Sequence, residues 1–239
     1  MPEPYLFHGV VLPERAQLTI QFGLEFEHLS SGVKGVANVS ILNNQIAVWV
    51  ATDHEWDIFD LRNVARNIVQ HHLAMIGFLK GLAYDVELTR VTNQSRKVDY
   101  VFGIDIPCIA GRGKSIDLMP ALQRLRDKTL GPNGVFLHRC FKDLVSSMKE
   151  ADDTGFYCYR AIESLRHHCA ATNGLSDADR SKQWEKFREV SGSSEDDLRL
   201  IKTAADPMRH GHPGSSTGPD REKLFLRTWQ VVQDYLDHI

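Results

Sequence analysis

Every segment of this chain whose hydrophobic residues alternate lies before Ile109, and every patterned segment after it repeats at three to four residues. A strand presents successive side chains to opposite faces and a helix presents every third or fourth to the same face, so the change of period divides the fold into two kinds of structure. The early runs Leu6–Leu12, Leu18–Leu29, Gly32–Leu42 and Gln45–Thr52 are rich in β-branched and aromatic residues and are separated by Pro13, Ser30-Ser31-Gly32 and Asn43-Asn44. Leu18, Ile20, Phe22, Leu24 and Phe26 alternate with Thr19, Gln21, Gly23 and Glu25, which predicts a sheet with one buried and one wet face. Residues 57–82 switch to helical spacing through Ile58, Leu61, Ala65, Ile68, His72, Met75 and Leu79, with Asp57 placed to cap the start and Gly81 near the end. This long helix is expected to cover the sheet. Residues 84–91 and 98–106 read as a closing hairpin, with Thr92-Asn93-Gln94-Ser95 between them.

Beyond Ile109 the AGRGKS segment reads as a loop, and helices are predicted over 117–129, 136–149, 154–171, 177–190, 195–208 and from Asp220 to the end. Strands first and helices afterwards is the α+β pattern. The expectation is an antiparallel sheet domain of about six strands with one long helix over residues 1–112, then an all-helical domain over 113–239.

The net charge of −3 over 239 residues gives no global attraction to nucleic acid, although a local surplus exists. Between Arg112 and Lys149 eight Lys/Arg face three Asp, which is either a solvated helix face or a phosphate-tracking one. Cys108, Cys140, Cys158 and Cys169 form no CxxC pair, so neither a zinc knuckle nor a disulfide framework is indicated, and a reducing cytoplasm is expected. No leader-like amino terminus and no long uncharged apolar run is present, so no membrane association is expected.

Gly111-Arg112-Gly113-Lys114-Ser115 lies between a strand and a helix, as a phosphate loop would, but the earlier glycine such a loop needs is replaced by Cys108. On the helix from Thr154, Cys158, Ile162, Leu165 and Cys169 take core spacing, while Arg160, Glu163 and His167 form a polar stripe. Glu163 can pair with Arg160 or His167 on its own helix or with a cation on a neighbour. Asp206-Pro207 is expected to disturb the end of the helix from Glu195, directly before Met208-Arg209-His210-Gly211-His212-Pro213. An imidazole titrates near neutrality and a guanidinium can stabilise phosphorane charge, so Arg209, His210 and His212 are the candidate catalytic residues, with Glu163 in support. The same residues could merely terminate a helix. His210 and His212 could instead hold a metal with His167, His168 or Cys169, but no carboxylate stands at a familiar ligand spacing, and neither a metal nor a cofactor is expected.

The pair YRAIESLRHH and PMRHGHP, on two helices followed by a loop and a last helix, resembles the carboxy-terminal bundle of bacterial HEPN-domain proteins (higher eukaryote and prokaryote nucleotide-binding), notably those of defence systems. The resemblance covers residues 136–239. It implies metal-independent RNA cleavage across a homodimer, with Arg and His acting at the scissile phosphate and the 2′-hydroxyl. The family motif places four to six residues between its Arg and its His. Here Arg209 is followed at once by His210 and then by His212, so the motif's spacing is not kept. Two functional expectations follow. One is an RNA-binding or RNA-processing protein, an endoribonuclease in the cleaving version, acting in bacterial defence or stress. The other is a non-catalytic module that dimerises or binds a nucleotide or protein ligand.

Overall fold

The structure is a computed structural model describing residues 3–28, 31–212 and 217–239. It divides into two compact units, Met1–Ile104 and Asp105–Ile239.

The amino-terminal unit holds strands β1 (Tyr5–Leu12), β2 (Ile20–Glu27), β3 (Lys34–Leu42), β4 (Gln45–Thr52), β5 (Asp85–Asn93) and β6 (Val98–Val101), with helix α1 (Ile58–Lys80) between β4 and β5. The strands form one sheet of order β2-β3-β4-β1-β5-β6 whose neighbours are all antiparallel. The alternation predicted from the sequence sets the register. Val39 lies opposite Val48, Val48 opposite Phe7, and Phe7 opposite Val91, so one apolar row crosses four strands. Each of these four is buried.

α1 packs on that face through Leu61, Ala65, Val69 and Leu73. The Asp57 carboxylate accepts the Phe59 and Asp60 amides at its start, and Gly81 closes it in the left-handed region at φ 67°. His72 lies flat on Phe22 at 3.8 Å between ring centroids. Cover by this helix stops earlier than its apolar spacing implies. Met75, Phe78 and Leu79 are 56%, 87% and 79% exposed, because the buried face of α1 ends at Leu73. β6 ends at Val101 rather than Ile106, and Pro107 opens the next helix, where its missing amide proton is tolerated.

The carboxy-terminal unit contains α2 (Pro107–Gly113), α3 (Leu118–Lys128), α4 (Gly134–Lys149), α5 (Thr154–Thr172), α6 (Arg180–Ser191), α7 (Glu195–Arg209) and α8 (Gly218–His238), which with α1 makes eight α-helices among the described residues. The AGRGKS segment is therefore not all loop, since α2 runs to Gly113. Ile109 of α2 joins the helical core, which puts the division between units before this helix rather than near residue 112.

α5 is the central helix and packs on α4, α6, α7 and α8. Its predicted core positions Cys158, Ile162, Leu165 and Cys169 are all buried. Burial extends to polar groups as well. His168 Nδ1 and the Tyr235 hydroxyl of α8 lie 2.7 Å apart, and Arg160 reaches Asp143 of α4 at 3.2 Å. Ser194 and Thr217 begin α7 and α8 with reciprocal capping boxes to Asp197 and Asp220. Pro207 does not break α7, which continues through it to Arg209.

Candidate functional site

The end of α7 explains the form of the Arg209-His210-Gly211-His212 segment. The Gly211 amide donates to the Met208 carbonyl at 3.1 Å and the His212 amide to the Pro207 carbonyl at 2.9 Å, the two bonds of a Schellman terminator. Gly211 sits at φ 78°, where a side chain would be strained, so its place between the two histidines follows from chain reversal. His210 and His212 are both exposed, and among the described residues their rings have no hydrogen-bonding or ionic partner. Pro213 and Gly214-Ser215-Ser216 of the adjoining loop lie outside the described residues.

Arg209 turns back over the protein. Its guanidinium lies 5.1 Å from the centroid of the Tyr159 ring on α5 and is 3.3 Å from Asp206, one turn earlier on α7. The close seating of α7 on α5 depends on Gly155. A Cβ there would stand 2.4 Å from the Ala204 carbonyl oxygen and 2.9 Å from the Met208 methyl.

The polar stripe of α5 does not act as one group. Arg160 goes to buried Asp143 on α4 and also covers the Phe156 ring at 5.3 Å. Glu163 pairs with Arg180 of α6 at 2.9 Å, the cation on a neighbour rather than either partner on its own helix. His167 stacks on Phe136 of α4 at 5.8 Å. Nevertheless Glu163 and Arg209 meet electrostatically at Tyr159. Burial pushes that phenol's pKa up, the Glu163 charge adds to the rise, and Arg180, Arg209 and Arg166 oppose it.

Arg166 is the member of this neighbourhood that sequence reasoning missed. It is 4% exposed, lies 5.0 Å over the Trp184 ring and donates to Gln183 Oε1 at 3.0 Å. A second terminal nitrogen meets His167 Nε2 at 2.7 Å. A guanidinium only donates, so His167 accepts there and carries its proton on Nδ1. Burial, followed by the Arg166 charge, lowers the His167 pKa in agreement. The available signal was spacing: Tyr159, Ile162, Arg166 and Cys169 stand three, four and three residues apart on the core side of α5.

The remaining sequence candidates stay apart from this cluster. The four cysteines are free, and burial raises the Cys158 thiol to about 11, too high for a nucleophile at neutral pH. No group of three or more His, Cys, Asp or Glu able to hold a metal forms among the described residues. No described helix is long and apolar enough to cross a membrane.

Comparison with known proteins adds family but not chemistry. No curated protein and no solved structure matches the chain. Residues 5–102 match the model described as the N-terminal domain of a domain of unknown function, DUF8168, and residues 122–239 match the model of its C-terminal domain. These segments fall one in each compact unit, and the chain carries both domains of DUF8168, in that order.

Proposed function

We propose that the carboxy-terminal unit is a HEPN-like module that binds RNA through the exposed end of α7, with Arg209 as the phosphate contact and His210 and His212 as the groups that act at the ribose. The observation that carries this reading is the posture of Arg209. It is held over the Tyr159 ring, with two solvent-facing imidazoles following at once. Arginine beside aromatic rings is a recurrent means of gripping single-stranded RNA, through phosphate contacts and stacking.

In the cleaving form one imidazole takes the 2′-hydroxyl proton while Arg209 neutralises charge that develops on the phosphate, a division of labour that needs no metal. Glu163 supports the site by fixing Arg180 and is not itself the base. Two copies apposed through their α7 ends would bring two such sets together, as the HEPN resemblance implies. The alternative, ligand binding without cleavage, is favoured by one specific feature: Gly211 is explained by helix termination alone, and the compressed Arg-to-His spacing results from that turn.

The test is incubation of the protein with structured RNA in EDTA beside Arg209→Ala and His212→Ala. RNA cut by the wild type and spared by both variants supports an endoribonuclease. RNA bound but not cut, with binding weakened in Arg209→Ala, supports the non-catalytic form. No binding and no cleavage at micromolar protein refutes the reading.

A further inference from the structure

On α8 the residues Pro219, Glu222, Lys223, Leu226, Arg227 and Gln230 follow one another at alternating steps of three and one, so they share a single face of the helix. That face and Arg112 of α2 line an open cleft of about 470 Å³ within the carboxy-terminal unit. Clefts that take small molecules span about 300–1,000 Å³. Cys108, one turn before Arg112 on α2, packs against the helical core, which sets Arg112 beside α8. Because Gly111-Arg112-Gly113 is helical, this segment brings a guanidinium to the cleft rather than a looped backbone.

Both arginines are oriented by groups that do not line the cleft. Gln230 donates through Nε2 to Asp234 at 2.7 Å, which turns its Oε1 to accept from Arg112 Nη2 at 3.4 Å. Asp197 of α7 takes Arg227 Nε at 3.1 Å. These contacts leave Arg112 Nε and Nη1 and both terminal nitrogens of Arg227 without a partner among the described residues, and the Lys223 ammonium has no hydrogen-bonded or ion-paired partner among them. Side chains three and four apart on a helix stand about 5–6 Å apart at Cβ, so Lys223, Arg227 and the Arg112–Gln230 pair form a continuous row of donors. Glu222 is the carboxylate among the lining residues, and Asp220, one turn before Lys223, is occupied by the Thr217 cap.

We propose that this cleft binds a small phosphate monoester, with Arg112, Lys223 and Arg227 on the phosphate and Glu222 accepting a hydroxyl of the group that carries it. Guanidinium and ammonium donors to a phosphate make charge-assisted hydrogen bonds, the strong kind. An ionised carboxylate repels a bare phosphate but accepts from a hydroxyl, so Glu222 favours a hydroxyl-bearing ester over the free ion. The site does not rest on the RNA reading. Arg227 is anchored at Asp197, which lies about 18 Å along the axis of α7 from Arg209.

The experiment titrates inorganic phosphate, ribose 5-phosphate and adenosine 5′-monophosphate, each separately, into the full chain at constant ionic strength, by calorimetry. Wild type is compared with Arg112→Gln, Lys223→Gln, Glu222→Gln and Arg209→Ala; the first three replace exposed side chains, and an unchanged circular dichroism spectrum verifies that each variant is folded. Saturable binding of the esters is expected, weakened about tenfold in Arg112→Gln and in Lys223→Gln, one charge-assisted contact each, and unchanged in Arg209→Ala. Glu222→Gln is expected to bring the affinities for ester and inorganic phosphate together, weakening the first and strengthening the second. Tighter binding of one ester over the other assigns the carrier to a sugar phosphate or to a nucleotide. Absence of saturable ester binding in the wild type overturns the proposal, as does ester binding unchanged in both Arg112→Gln and Lys223→Gln, or inorganic phosphate bound as tightly as the esters. Ester binding lost in Arg209→Ala places the ligand at the end of α7 and overturns the cleft. RNA binding that persists while ester binding is absent refutes this site alone and leaves the α7 reading standing.

Discussion

Gly155→Ala sets two opposing effects against each other at the joint that carries Arg209. Alanine is the better helix former, by about 1 kcal/mol in a helix interior, and less here because Gly155 is the second residue of α5. Against this stands the contact with α7. The new methyl would lie 2.4 Å from the Ala204 carbonyl oxygen, roughly 1 Å inside an ordinary carbon–oxygen contact. That oxygen is backbone and cannot rotate aside, whereas the Met208 methyl at 2.9 Å can. Relief therefore requires α7 to move away from α5, and overpacking of this sort costs about 1–3 kcal/mol. The net expectation is a loss of about 1–2 kcal/mol, or roughly 3–8 °C in the Tm of the helical unit. Gly111→Ala is the internal control, since a Cβ there meets nothing within 4 Å, and it should be neutral or stabilise by up to about 1 kcal/mol. Calorimetric unfolding of the two variants beside the parent reads the difference directly. A Gly155→Ala protein as stable as the Gly111→Ala one would refute the claim that close backbone approach seats α7.

The two buried polar contacts of α5 make further predictions. Burial lowers the His168 pKa, so the unfolded chain takes up the proton first and stability must rise with pH through the region up to the ordinary histidine value of 6.5. Tyr235→Phe removes the partner of that ring and should cost about 1–2 kcal/mol at pH 7.5 in urea denaturation; a loss below a few tenths would show the bond to be incidental. Asp143 behaves in the opposite sense. Burial raises its pKa despite the opposing charge of Arg160, so the folded state holds the proton more tightly and this group's contribution becomes less favourable as pH rises above the usual carboxylate range. Asp143 Oδ2 has no partner and Arg160 is partly solvated, so Asp143→Asn should be at least as stable as wild type at pH 7, with the difference closing toward pH 4. A variant markedly less stable at pH 7 would mean that the ion pair outweighs the burial of its carboxylate.

Local pattern was a good guide wherever a side chain's role was set by its own element. The alternation from Leu18 to Phe26, the Asp57 and Gly81 caps of α1, and the core positions of α5 all follow from period, caps and turn residues. It failed where a neighbour decided. α2 is a short helix containing two glycines whose Ile109 is buried in the helical core, while Met75 and Leu79 have core spacing and lack cover. The stripe of Arg160, Glu163 and His167 shares one side of α5, yet α4 and α6 flank that side and draw Arg160 and Glu163 apart.

For the candidate site the same distinction holds. Arg209, His210 and His212 were visible because imidazole and guanidinium side chains cluster in four consecutive residues, and the Gly between the histidines marks a helix end by its backbone freedom alone. Arg166 was not visible, because arginine is ordinarily read as a surface residue and its burial depends on Trp184 and Gln183 from another helix. The sequence by itself determined the order of strands and helices, since period and caps act within an element. Only the tertiary structure decided that Arg209 lies over Tyr159 of α5 and that Glu163 turns to Arg180 of α6, because side chains from different helices meet only when packing places them together.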